Sequence, residues 1–433
     1  MKPADRHARA DALALFDAVA QATRVGEGVT RESYGASESA ALGVLCDWAR
    51  VAGLVWHTDL AGNVIFESPV HDAALPAVVC GSHVDSVPEG GNFDGLAGIV
   101  AGLLVLRDLH AAGRPEARHL RVAALRGEES AWFGKAYMGS SAALGCLDAH
   151  YLELRHRDGA RRLGESMQAQ GAQPEAIARG ERARWTEPER MAAWLELHIE
   201  QGPVLIDRDW PIAVVTGIRG NVRYPRLQCV GEAGHSGAVP RHLRHDAVLA
   251  TADLLGRLES LWTDELAAGR DLVFTSGIIA TDSRVHASSR IPDGVRLSVE
   301  ARSTDPRVLA DFERRLHAAC ACISRDRGVS FDLGEPLYTA PAAMNDELAR
   351  HLHAGAAQLG IVCGSVASGA GHDAALFANA GIPSAMIFIR NANGSHNPHE
   401  AMDIDDFIDG TRVLEQAVLA RLSKPTPRVA LAA

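Results

Sequence analysis

The chain has 433 residues, too many for one compact core, so two or three domains are expected. Its 47% hydrophobic and 22% charged content excludes a disordered chain, and a net charge of −11 excludes general binding to nucleic acid or anionic membranes. Seven scattered cysteines without a CxxC pair exclude a disulfide framework and a thiolate zinc site, so reduced thiols in the cytoplasm are expected.

Residues 1–16 carry Asp5 and Asp11 among basic residues and lack a continuous apolar stretch, which disfavours a signal peptide. The longest apolar run, Leu96 to Leu106, falls far short of the ~20 residues that span a membrane.

Taken in order, the apolar spacing predicts helices over Ala10–Thr23 and Ser37–Ala52, a turn at Asp59–Asn63 and a strand at Val64–Glu67. A buried strand follows at Ala77–Cys80, then a helix at Gly95–Leu109 and a buried strand at Leu120–Leu125 that ends in Arg126-Gly127-Glu128-Glu129. Tyr151–Met191 reads as surface helices, and Leu195-Glu196-Leu197-His198-Ile199-Glu200-Gln201 as an alternating strand stopped by Gly202-Pro203.

Between Gly217 and Gly334 the pattern becomes β-α-β-β-α-β. Strands are expected at Tyr224–Val230, Leu272–Ile279, Val295–Ala301 and Val329–Leu333, with helices at His245–Leu261 and Pro306–Ile323. The first pattern then resumes with a helix at Met344–Leu359, a strand at Ser384–Ile389 and a helix at Asp405–Arg421, before a frayed tail from Ser423. The expectation is an α/β protein: residues 1–216 and 335–433 form a domain with a mostly parallel sheet flanked by helices, and 217–334 an inserted ferredoxin-like α+β domain.

Polar clusters recur where strands end, which is where such sheets carry chemistry. Hydrolysis at a two-metal site needs imidazole and carboxylate ligands, a carboxylate shared by both ions and a further carboxylate free to take a proton. His83, Asp94, Glu128, Glu129, His198 and His396 supply those types in separate loops. Each has an ordinary reading: His83 bonded to Asp85, Glu128-Glu129 at a helix N-terminus, His198 as a half-buried strand histidine. His57, His71, His150 and His156 match nothing and read as surface residues.

Seven segments together resemble the M20 metallopeptidase family, in its hydantoinase/carbamoylase branch. They are Gly81-Ser82-His83-Val84-Asp85-Ser86-Val87, Gly90-Gly91-Asn92-Phe93-Asp94-Gly95, Glu128-Glu129-Ser130-Ala131-Trp132-Phe133, His198-Ile199-Glu200-Gln201-Gly202-Pro203, Gly234-His235-Ser236-Gly237, Gly369-Ala370-Gly371-His372-Asp373-Ala374 and Ser395-His396-Asn397-Pro398-His399-Glu400. The resemblance implies two divalent metal ions per subunit, zinc first, with manganese, cobalt or nickel as alternatives. Asp94 would bridge them, with His83 and His198 on one ion and Glu129 and His396 on the other. Glu128 would be the general base, and Asp85 would stand behind His83 and fix its tautomer.

It further implies that His235 stabilises the oxyanion, reaching the site of the other subunit in a homodimer formed through the inserted lid domain. Gln201 and His372 would contact substrate, and Arg302 would clamp its carboxylate. Where the family usually has Asn, this chain has Ser289, with Arg290 beside it as a second donor. Trp132 replaces a more usual Arg, and two roles stay open to it: shaping the substrate pocket or packing in the core. His198 stands where peptidase and acylase branches usually carry a carboxylate, so the resemblance favours a small ureido acid, an N-carbamoyl-L-amino acid, allantoate or N-carbamoyl-β-alanine. An aminoacylase or dipeptidase, and a metal-binding protein without catalysis, are the remaining alternatives.

Overall fold

A computed structural model describes residues 3–73 and 75–423; the expected fraying beyond Ser423 lies outside them. The chain divides into two compact units, residues 1–216 with 343–433, and 217–342.

The first unit is built on a mixed sheet whose centre is parallel. Ser384–Ile389, Met191–Ile199, Ala77–His83 and Leu120–Leu125 run side by side in that order, all parallel. Val64–Glu67 follows on one side, antiparallel to Leu120–Leu125 and itself paired with Val55–Thr58, and Ile212–Ile218 follows on the other, antiparallel to Ser384–Ile389. Every residue of the four central strands is buried. That corrects the alternating, half-buried reading of the strand carrying His198: covered on both faces, it has no solvent side for polar residues to occupy. Glu196 and His198 therefore sit inside the protein.

The helix Leu96–Ala111 crosses these strands and is apolar nearly all round, as an enclosed helix must be. It is kept close by Gly98: a Cβ there would lie 2.3 Å from the Leu197 carbonyl oxygen and 2.8 Å from Ser82 Cβ. The helices Pro3–Thr23 and Ala36–Val51 pack into the same core through Leu15, Phe16, Val19, Leu42 and Leu45. Glu128 and Glu129 lie on a loop, not at a helix N-terminus. Tyr151–Met191 forms only short helical pieces, the longest Leu163–Ala169. Of the four histidines read as surface, His156 is buried and stacks on Trp132 with 5.6 Å between ring centroids.

In the second unit, four antiparallel strands lie in the order Val273–Thr275, Gly294–Ser303, Gly220–Val230, Ser330–Asp332. The helix Pro306–Arg327 buries Val308, Phe312, Leu316, Cys320 and Ile323, a single stripe at helical spacing, and Ala247–Ala267 buries Leu254, Leu258 and Leu261. This is the ferredoxin-like β-α-β-β-α-β order. The unit continues past residue 334 to Ala342 because Leu337–Thr339 adds to its sheet against Gly220–Val230.

Gly98→Ala should lower the thermal midpoint by the equivalent of about 1–3 kcal/mol, because the methyl must push the helix off the backbone beside His198. An unchanged midpoint in thermal denaturation would show that the helix does not depend on this close approach.

Candidate metal and catalytic site

The carboxyl ends of the parallel strands deliver the polar groups. His83 is the last residue of its strand, His198 the last but one, and Glu128 and Glu129 stand three and four residues past Leu125, where a third strand ends. Asp94 and His396 come from the loops after two of these strands. Asp94 is the common neighbour. Its Oδ1 lies 3.4 Å from His83 Nε2 and 3.2 Å from His198 Nε2, and its Oδ2 lies 3.4 Å from His396 Nε2, which is itself 3.2 Å from Glu129 Oε1. Among the described residues three groups could hold a metal ion; one is Glu196–His198–His372, and the other two, His83–Asp94–His198 and Asp94–Glu129–His396, share one carboxylate.

Hydrogen bonds on the far side of each ring say what these atoms face. His198 Nδ1 lies 2.9 Å from the Ile199 carbonyl and His83 Nδ1 3.1 Å from the Asp85 carbonyl, acceptors that require N–H on both. Each Nε2 then carries a lone pair; that of His198 accepts the Gly95 N–H at 3.3 Å, and both nitrogens converge on Asp94 Oδ1, a buried oxygen without a hydrogen-bond donor. Three acceptors meeting in a buried space need positive charge between them, so this donor set fits divalent cations. Burial pushes His83 and His198 down, but Asp85 and Asp94 raise His83 and Asp94 raises His198, so both end above the ordinary imidazole value. His396 is pushed up to about 10 by its bonds to Asp94 and Glu129.

Glu128 belongs to none of these groups. Burial first, then Glu129, Asp373 and Asp85, push its carboxyl well above the usual range against the opposing charge of His83. Asp85 acts mainly on the backbone: its Oδ1 accepts from the Glu128 N–H and its Oδ2 from the Glu129 N–H, both at 3.0 Å, while Ser33 Oγ donates to Oδ2 at 2.5 Å. Its Oδ1 lies 3.4 Å from His83 Nδ1, so one side chain fixes a histidine and both glutamates.

Gln201 donates from Nε2 to Asp94 Oδ2 at 2.9 Å, and its own N–H reaches Asn391 Oδ1 at 2.9 Å. Gln201 and His396 both hold left-handed backbone, φ 63° and 60°, a strain that the surrounding bonds must offset. His372 is buried beside the site, its ring edge-on to His198 at 4.5 Å and its Nε2 2.9 Å from Ser368 Oγ. Burial and the neighbouring His198 hold its imidazole well below the ordinary value. Trp132 is packed: it is buried, stacks on His156 and donates its indole N–H to the Ser86 carbonyl at 2.9 Å.

Four of the expected residues lie in the second unit. His235 and Arg290 are paired across two short antiparallel strands, and the carbonyl of Ser289 accepts from the Ser236 N–H at 2.8 Å, so these three form one corner. His235 Nδ1 accepts from the N–H of Gly237 at 3.1 Å and of Ala238 at 3.3 Å, which leaves the ring proton on Nε2. Arg290 pairs with Asp293 at 3.1 Å. Arg302 stands apart on the strand Gly294–Ser303, 2.8 Å from Glu300.

Sequence reading missed three contributors. Ser395 Oγ donates to Asp94 Oδ2 at 2.5 Å, and Glu400 accepts from the N–H of Phe93 at 2.8 Å and of Asp94 at 3.2 Å. Both lie in the segment around His396, so proximity to a ligand was the available signal. Arg31, fully buried, donates to the Asp94 carbonyl, and nothing local in the sequence marks it.

An α/β sheet with imidazoles and carboxylates gathered at its strand ends is the make-up of a metal-dependent hydrolase. A profile of the Peptidase family M20/M25/M40 matches residues 79–420, and the chain belongs to that family, which is metal-dependent. It is 30% identical over 397 residues to an N-carbamoyl-L-amino-acid amidohydrolase of Pseudomonas sp. (strain NS671), covering 92% of this chain and 94% of the relative. It is likewise 30% identical over 365 residues to an allantoate amidohydrolase of Escherichia coli (strain K12), covering 84% and 85%. The crystal structure of an amidase of the hydantoinase/carbamoylase family from Burkholderia multivorans superposes with a TM-score of 0.86 at 28% identity, covering 97% of this chain and 98% of that one. The protein is an amidohydrolase, a hydrolase acting on amide C–N bonds. Among the described residues no helix is long and apolar enough to cross a membrane.

Asp85→Asn should destabilise the protein by about 1–3 kcal/mol, because one end of the amide must set an NH2 against a buried backbone N–H. Thermal denaturation checks this, and a variant as stable as the parent would mean that Asp85 does not carry the two glutamate amides.

Proposed function

We propose that the chain hydrolyses the carbamoyl C–N bond of an N-carbamoyl-L-amino acid, releasing the amino acid, ammonia and carbon dioxide. The observation that carries this is the pair of ligand groups sharing Asp94, with the Glu128 carboxylate beside them and outside both. The N-carbamoyl names among the relatives, and an imidazole at position 198, support the ureido bond over a peptide bond.

Two divalent cations, zinc in the first instance, would be held by His83, His198 and Asp94 Oδ1, and by Glu129, His396 and Asp94 Oδ2. When bound they supply Lewis acidity toward the substrate carbonyl and toward a water at neutral pH. The residues do the rest. Glu128 takes a proton from the attacking water and returns it to the leaving nitrogen, a task suited to a carboxyl whose surroundings have raised its basicity. His235 offers Nε2–H to the oxyanion as the carbonyl carbon becomes tetrahedral. Arg302, with Ser289 and Arg290, binds the substrate carboxylate, and Gln201 and His372 line its carbamoyl end. The second unit acts as the lid and as the contact of a homodimer, through which His235 serves the partner's site.

A relative named for allantoate stands at the same identity as one named for N-carbamoyl-L-amino acids, so allantoate is the second reading. Stripping the metals, reloading zinc, manganese, cobalt or nickel separately, and measuring ammonia release from N-carbamoyl-L-amino acids, N-carbamoyl-β-alanine and allantoate decides between them. Turnover of N-acetyl amino acids or dipeptides alone would sink the ureido assignment.

Glu128→Gln should keep the metal content of the parent while kcat falls by at least ~10²–10⁴-fold; substantial residual turnover would remove Glu128 from the role of base. Mixing Glu128→Gln chains with His235→Ala chains should restore part of the activity, since each mixed dimer keeps one site with both groups intact. Verified heterodimers that stay inactive would place His235 in its own chain's site.

A further inference from the structure

We propose that Arg31 is a positioning residue of the metal site, a buried guanidinium that holds the loop between His83 and Asp94 in its ligand-presenting shape. The inference rests on the reading that these groups bind divalent cations. Arg31 is fully enclosed, and its donors reach three acceptors spread along that one loop: Nε to the Val84 carbonyl, Nη1 to Asn92 Oδ1 at 3.1 Å and Nη2 to the Asp94 carbonyl at 3.3 Å.

The guanidinium is itself seated. The Arg31 N–H donates to Ser86 Oγ and the Ser86 N–H donates to the Arg31 carbonyl, both at 2.9 Å, and Val29 exchanges backbone hydrogen bonds with Gly90. From the other side Glu400 accepts the N–H of Asp94, so the peptide of the shared ligand is gripped at both ends. Burial pulls the Arg31 guanidinium below its ordinary value, and Glu400, Asp94, Asp85 and Glu129 around it oppose that shift. A planar fork can serve three separated carbonyl-type acceptors at once. The compact ammonium of lysine, on a differently shaped stem, cannot reproduce that spread.

The test uses full-length protein stripped of metal and titrated with Zn²⁺ in competition with a chromophoric chelator, for the parent, Arg31→Lys, Arg31→Met and Asn92→Ala. Arg31→Lys should lose ~10–100-fold in Zn²⁺ affinity, the usual cost of removing a group that orients a ligand. Asn92→Ala, which removes one of the three acceptors, should show a smaller loss in the same direction. Zn²⁺ should raise the melting temperature of Arg31→Lys by less than it raises the parent's, and kcat should fall with KM unchanged, because Arg31 is not placed to touch substrate.

A folded Arg31→Lys protein with parental Zn²⁺ affinity overturns the proposal, even if its melting temperature is lower, since that is the mark of a merely structural residue. Should neither Arg31 variant fold, parental affinity in Asn92→Ala overturns it equally. A parent that takes up no Zn²⁺ fails at the earlier step: it overturns the metal reading, and this inference with it.

Discussion

Confining negative charge is the constraint around which this protein is built. Asp85, Asp94, Glu129, Glu196 and Glu400 are all buried in the first unit, and a buried carboxylate is costly unless cations or N–H groups surround it. The chain meets that demand in several ways. Asp85 takes two backbone N–H groups and a serine hydroxyl; Glu196 takes Ser82, the Trp194 indole and the Ala374 N–H. Asp94 takes Gln201 and Ser395 on Oδ2, beside His396, but is left with an Oδ1 that no donor satisfies, facing His83 and His198. Where the balance is incomplete the carboxyl moves up: burial pushes Glu400 to about 7, with Asp94 adding to it. The region that stays undersatisfied is the one at which cations fit.

Architecture and chemistry follow from the same arrangement of strands. Four parallel strands end together, so ligands far apart in sequence meet without a long loop having to reach across. The enclosing helix Leu96–Ala111 begins immediately after Asp94 and Gly95. Its contact with the strands through Gly98 therefore sets how near Asp94 stands to His198. Packing and catalysis are not separable here, because the backbone beside His198 is also the wall against which that helix rests.

Strain is concentrated where precision is needed. Gln201 and His396 both adopt left-handed backbone, at a cost of order 1 kcal/mol each, and both touch Asp94. Asn391 fixes Gln201 through its amide and caps the Gly394 carbonyl just before His396. A small set of loop bonds thus holds two strained residues against one carboxylate.

Much of this was legible in the sequence, because it rests on short-range chemistry. Apolar runs marked the central strands, a change of pattern marked the second unit, and spaced polar segments marked His83, Asp94, Glu128, Glu129, His198 and His396. Tertiary structure decided what pairing across long separations controls. It showed that the strand carrying His198 is covered on both faces, that His156 is buried under Trp132, and that Trp132 packs. It also gave Asp85 the backbone of the two glutamates and placed Arg31 under the loop of Asp94. A residue's type states what it can donate or accept, but which partner it meets depends on strands and loops far away in the chain, and that is settled only when the fold closes around them.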